Sequence, residues 1–122
     1  MIPAGSLAIV YTGWSQFWTD PKQYRNEDDE GITHFPSIGE DAAMLLLSRG
    51  VSGIAVDTLS PDTATSGYPV HKHFLSAKKY IIENVCNAHK LPPTGFSVIV
   101  LPIKIKDAAE APVRMVGLIP SM

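Results

Sequence analysis

Ser37-Ile-Gly-Glu-Asp-Ala-Ala-Met-Leu-Leu-Leu-Ser-Arg-Gly50-Val-Ser-Gly-Ile-Ala-Val-Asp57 carries the clearest statement of architecture in the chain. Ser37 and Glu40 match a capping box, in which the hydroxyl accepts from an amide three residues on and the carboxylate reaches back. The pattern predicts a helix starting there. Ala42, Ala43, Leu45, Leu46 and Leu47 would form its wide apolar face, and Gly50 stands where a left-handed C-terminal cap is needed. Val51 to Asp57 then reads as an apolar strand ending in an acid. A helix followed by such a strand is typical of α/β architecture, in which functional groups gather at strand ends.

On the N-terminal side, Leu7-Ala-Ile-Val-Tyr-Thr12 is a β-branched and aromatic run between Gly5 and Gly13 and suits a buried strand. Trp14 to Pro36 shows no sustained period and is expected to be an irregular loop, with Trp14, Phe17 and Trp18 packed over a pocket or anchoring the loop to the core. Glu27-Asp-Asp-Glu30 lacks the alternating acids and central glycine of a calcium loop and reads as a solvated charge run.

On the C-terminal side, the polar segment Ser60 to Gly67 turns the chain, Val70 to Lys78 suits a short helix or a turn, and Tyr80 to Asn84 a buried strand. Phe96–Ile105 and Val113–Ile119 are strand candidates expected to pair as an antiparallel hairpin across the polar linker Lys106 to Pro112. Together these elements predict one domain over residues 1–122, a mixed α/β sheet of about four or five strands with one main helix.

His71 and Glu83 are the candidate metal-ligating residues, twelve positions apart. In one continuous helix they would lie roughly 18 Å apart, at about 1.5 Å per residue, so a shared ion requires a chain reversal near Ser76 to Lys79. A catalytic zinc takes three protein ligands and water, so this pair would be part of a centre completed from elsewhere. His73 falls about 200° round a helix from His71 and would face away. His34 and His89 read as surface or capping residues, and Asp57 and Asp62 as turn-formers capping their own backbone. Cys86 with His89 has no evident orienting partner for a nucleophile, and Cys86 is expected to be a small buried apolar residue.

The 122 residues carry 45% hydrophobic and 18% charged residues with a net charge of −2. That composition suits a globular protein and excludes the basic balance of a nucleic-acid binder. No apolar run of about 18 residues exists to span a bilayer, the start lacks the basic region of a signal peptide, and the single cysteine allows no intrachain disulfide; a cytoplasmic location is expected.

Gly53-Ile-Ala-Val-Asp57-Thr-Leu-Ser-Pro-Asp62, Pro69-Val-His71, Ile81-Ile-Glu83-Asn-Val, Phe96–Ile105 and Pro112-Val-Arg114 together resemble the C-terminal half of the cyclase family of metal-dependent hydrolases, which includes bacterial-type kynurenine formamidase and isatin hydrolase. Ile2-Pro-Ala-Gly-Ser, Thr12-Gly-Trp14 and His34-Phe-Pro are similar to it as well, so the resemblance covers nearly the whole chain. It implies the C-terminal part of a swivelling β/β/α fold. It also implies one or two divalent ions, commonly zinc or manganese, serving hydrolysis of a small amide or lactam, with His71 and Glu83 at the second metal position. The family's remaining ligands and its general-base histidine belong to an N-terminal His-x-Gly-Thr-His-x-Asp-x-Pro-x-His motif, which these residues do not contain.

Three functional expectations follow. In one, the chain is a hydrolase completed by a partner chain or a further segment. In another, it is a non-catalytic binding or assembly module of the same descent. In the third, a reduced metal site forms at an interface between identical subunits. All three favour a homo-oligomer or a partner chain, because half of a sheet-based domain exposes apolar edges that need cover.

Overall fold

In a computed structural model of the chain, residues 2–120 are described. They form two compact units, Met1–Ala88 and His89–Met122.

The first unit is built on three parallel strands in the order β1-β2-β3: β1 (Leu7–Val10), β2 (Gly53–Val56) and β3 (Tyr80–Ile82). Leu7 pairs with Gly53, and Ile54 with both Ala8 and Ile81. The central strand is buried along its whole length, as expected of a parallel strand covered on both faces. Gly53 is required there: a Cβ at this position would lie 2.5 Å from the Tyr80 carbonyl oxygen and 2.8 Å from its ring.

Helices connect the strands: α1 (Pro21–Arg25) and α2 (Glu40–Ser48) between β1 and β2, and α3 (Pro69–Ser76) between β2 and β3. Ile38, Ala43, Val51, Ile54, Val56, Val70 and Phe74 form the core, with Ala8, Val10, Leu46, Leu47 and Ile81 packed against it. The inward face of α2 is therefore Ala43, Leu46 and Leu47, the i, i+3, i+4 set. It is narrower than the composition of the helix predicts, since Ala42, Met44 and Leu45 are exposed.

The predicted capping box does not form. Helix α2 begins at Glu40 with Gly39 as N-cap and no side-chain cap bond. Glu40 is thus the first helical residue, not the third, and its carboxylate instead bonds His73 Nε2 on α3 at 2.7 Å. The C-terminal expectation holds: Gly50 has φ +71°, its N–H donates to the Leu47 carbonyl at 2.8 Å, and Val51 N–H reaches the Leu46 carbonyl at 3.5 Å. This is a Schellman closure, with Val51 and Leu46 both in the core assembly.

The stretch expected to be irregular is locally ordered. It holds a 3-10 turn at Trp14–Phe17 and then α1, which Asp20 caps by accepting from Lys22 N and Gln23 N, with Pro21 at the first helical position. Trp14 Nε1 donates to the Tyr24 carbonyl at 2.9 Å, and Trp18 stacks edge-on against Tyr24, so the aromatics anchor the segment. The acidic run is solvated as predicted, with Asp28 bonding Glu30 N, Ile32 N and His34 Nε2.

In the second unit, β4 (Ser97–Pro102) and β5 (Val113–Leu118) form the antiparallel hairpin read from the sequence, with Ile99 opposite Val116 and Leu101 opposite Arg114. The five strands therefore divide between a parallel sheet and a separate two-stranded ribbon. Ile99, Leu101, Ile103, Ile105, Val116, Leu118 and Ile119 are all exposed. Among the described residues no helix is long and apolar enough to cross a membrane.

Candidate metal centre at the strand ends

Parallel strands run their carboxyl ends to one edge of the sheet, the usual place for a site in an open α/β fold. At that edge lie Thr12, Asp57 and Glu83, which follow β1, β2 and β3. Asp57 is buried and ties two ends together: Oδ1 accepts from Thr12 N at 2.8 Å and Thr12 Oγ1 at 2.7 Å, and Oδ2 from Ser15 N at 3.2 Å. It therefore caps the loop after β1 rather than its own turn.

Tyr24 closes the same edge from α1. Its hydroxyl lies 3.0 Å from both the Asp57 carbonyl oxygen and Asn84 Oδ1. Burial, and then the negative charges of Asp57 and Glu83, push its phenol up to about 12, so it stays a donor. Asn84 takes a left-handed conformation, φ +58°, while Asn84 N donates to the Thr58 carbonyl and Val85 N to the Val56 carbonyl. These contacts fix the backbone immediately beyond Glu83.

Helix α3 brings the imidazole. After Ser76 the chain reverses, with Lys78 at φ +55° and Lys79 N donating to the Phe74 carbonyl at 2.9 Å. The required turn is thus present, and β3 runs back to place Glu83 Oε1 3.5 Å from His71 Nε2. Two donors about 2.0–2.2 Å from one tetrahedral ion are about 3.4 Å apart, so the spacing suits a shared divalent cation. An imidazole and a carboxylate are also a donor pair that zinc and manganese accept. The other ring nitrogen, Nδ1, lies 2.7 Å from Asp62 Oδ2.

Asp62 is buried, and its partners are eight and nine residues away: Val70 N and His71 N, each at 2.9 Å. It caps α3, whose own N-cap residue Tyr68 offers no side-chain bond. The expectation of a local turn cap therefore fails for Asp62 as for Asp57. Sequence reasoning missed Asp62, Tyr24 and Asn84 as parts of the site. A signal existed for Asp62, an acid upstream of a proline-started helix that lacks a capping residue of its own.

The other histidines lie elsewhere. His73 faces away to Glu40 as its helical position predicts, His34 pairs with Asp28 at 2.7 Å, and His89 sits in the 3-10 turn Ala88–Lys90. Cys86 is exposed, contrary to the expectation of burial, because it lies in the irregular segment after β3. Among the described residues, no group of three or more His, Cys, Asp or Glu side chains is arranged to hold a metal ion.

Comparison with known proteins places the chain among relatives of one family. Isatin hydrolase of Roseibium aggregatum is 27% identical over 98% of this chain, which corresponds to 47% of that protein. A solved isatin hydrolase bound to the product analogue thioisatinate superposes with a TM-score of 0.92, at 26% identity, over 99% of this chain and 48% of the other. A structure described as a potential metal-dependent hydrolase with cyclase activity gives a TM-score of 0.72, at 27% identity, over 96% of this chain and 52% of the other. The chain therefore spans about half the length of the relatives it matches. The family model described as "Putative cyclase" matches residues 1–63, more than half of the chain. By its sequence and by its strand-end architecture, the chain belongs to the cyclase family.

Proposed function

We propose that the chain is one half of a metal-dependent amidohydrolase, active on a small formamide or cyclic amide once a partner chain or a further segment supplies the remaining ligands. The observation that carries this reading is the approach of His71 Nε2 to within 3.5 Å of Glu83 Oε1, with the far side of the imidazole held by Asp62. His71 and Glu83 would hold the ion, zinc or manganese. When bound, such an ion supplies Lewis acidity, making water a competent nucleophile near neutral pH and polarising a carbonyl.

The chain's own residues serve binding and orientation. Glu83 contributes the anionic ligand, Asp57 and Tyr24 fix the loops at the three strand ends, and the Tyr68 ring lies 5.9 Å from that of His71, edge-on. An exposed Tyr68 beside the imidazole suits contact with the flat ring of an aromatic amide.

The oligomeric reading rests on the ribbon. Its exposed isoleucines and leucines, with Met44 and Leu45 on α2, are apolar surface that a second copy or the complementary half would cover. In the one-domain reading, residues 1–122 are the C-terminal part of a larger cyclase fold. A cytoplasmic location is compatible with a single cysteine, Cys86, that has no intrachain disulfide partner. A second reading, a non-catalytic assembly module, draws on the two-donor site: among the described residues no third ligand joins it.

Elemental analysis of purified protein, paired with assays for hydrolysis of isatin and of N-formylkynurenine, separates the two. Stoichiometric zinc or manganese with turnover, alone or after addition of a complementary chain, is the expected result. Metal-free protein that stays inactive with every complement would favour the module.

A further inference from the structure

We infer that Asp62 is a positioning residue: it holds the imidazole proton of His71 on Nδ1 and so keeps Nε2 as an electron-pair donor facing Glu83. The inference deepens the proposed function and rests on that reading for its purpose, though not for its geometry. Asp62 is 2% exposed, and three short contacts converge on its carboxylate. Oδ1 accepts from Val70 N at 2.9 Å, and Oδ2 accepts from His71 N at 2.9 Å while lying 2.7 Å from His71 Nδ1. With both oxygens accepting backbone N–H groups, the carboxylate acts as an acceptor, and Nδ1 must be the donor. In the neutral ring, Nε2 is then unprotonated.

One side chain thus ties two properties together. The same oxygen that caps α3 also fixes the ring rotation of the residue it caps, so His71 cannot turn without losing a short, part-buried hydrogen bond. A carboxylate behind an imidazole is the usual means of fixing the tautomer and raising the basicity of a metal-binding nitrogen. Asp62 meets the ring at Nδ1, the nitrogen that faces away from Glu83, and so acts through His71.

The decisive substitution is Asp62→Asn. Its amide oxygen can still accept a backbone N–H, but an NH₂ group turned toward Nδ1 would drive the proton to Nε2 and convert a donor of electrons into a donor of hydrogen. Nitrogen-15 NMR of the full chain, read on the His71 ring in its neutral form, should show the proton on Nδ1 in the wild type and on Nε2 in Asp62→Asn. Titration with Zn²⁺, followed on the same resonance, should weaken by about 10- to 100-fold in the variant.

Glu83→Gln should leave the proton on Nδ1, because Asp62 sets it. A wild-type ring protonated on Nε2 overturns the inference even if Asp62→Asn fails to fold, and so does an Nδ1 proton that persists in Asp62→Ala, which leaves the ring no side-chain acceptor at that position. A wild-type His71 with the expected tautomer that ignores Zn²⁺ would sink the metal-centre reading instead, leaving the role of Asp62 intact.

Discussion

The two units of the chain solve the burial problem in opposite ways. Met1–Ala88 lays two helices on a three-stranded parallel sheet and encloses Phe74, Val70, Ile54 and Val51 at essentially zero exposure. The ribbon of His89–Met122 has two strands, apolar residues on both of its faces, and exposed Ile99, Leu101 and Leu118. A two-stranded hairpin is marginal by itself in water. The difference teaches where each kind of information lies: the first unit carries the core and the His71–Glu83 pair, and the second carries exposed apolar surface.

The contrast predicts its own mutational signature. Phe74→Ala should cost about 3–5 kcal/mol, since it empties a fully enclosed site between α3 and the sheet. The matched truncation Ile99→Ala on the ribbon should stay within about 0.5 kcal/mol for the isolated chain. Urea denaturation measures both, and equal losses would break the distinction. If a second copy covers the ribbon, Ile99→Ala should instead weaken association, visible by sedimentation.

A smaller effect sharpens the picture of the strand-end edge. Tyr24→Phe removes a buried hydroxyl bonded to the Asp57 carbonyl and should cost about 0.5–1.5 kcal/mol. It should also change the alkaline limb of stability. The Tyr24 pKa is raised from 10.0 to about 12, so the unfolded phenol ionises first and stability falls as pH rises through that window. Thermal melts of Tyr24→Phe should lack this component of the fall between pH 10 and 12.

Least of all should be the effect of His34→Ala. The hydrogen bond from His34, followed by the Ile32 amide, holds the Asp28 carboxyl below the ordinary 3.8. A depressed carboxylate stabilises above its ordinary pKa and loses that contribution as pH falls through the lowered value. The variant should raise the Asp28 titration midpoint by NMR with almost no change in melting temperature, because both side chains are exposed.

The strands were legible because each is an apolar, β-branched run of the right length, and the hairpin because a polar linker divides two of them. The helix end at Gly50 was legible for a stereochemical reason, its positive φ. The helix start was not: Ser37 and Glu40 satisfy the spacing of a capping box, but a cross-helix partner, His73, wins the carboxylate. The ordered segment after β1 was missed although Asp20-Pro21 is a sound start signal, since the five-residue α1 has no periodicity to detect.

His71 and Glu83 emerged from the family resemblance together with the need for a reversal, which the left-handed Lys78 provides. Asp62 stayed hidden because its acceptor role spans a polar loop of residues 63 to 68, a distance no local capping rule considers.

Whether His71 and Glu83 act as two ligands of one ion can be asked directly by measuring Zn²⁺ affinity of the full chain in a Cys86→Ser background, which removes the exposed thiol as a competing site. Single-site binding that weakens by at least about 10-fold in both His71→Ala and Glu83→Gln is the expected result. Affinity unchanged by either substitution would contradict a metal centre at the strand ends.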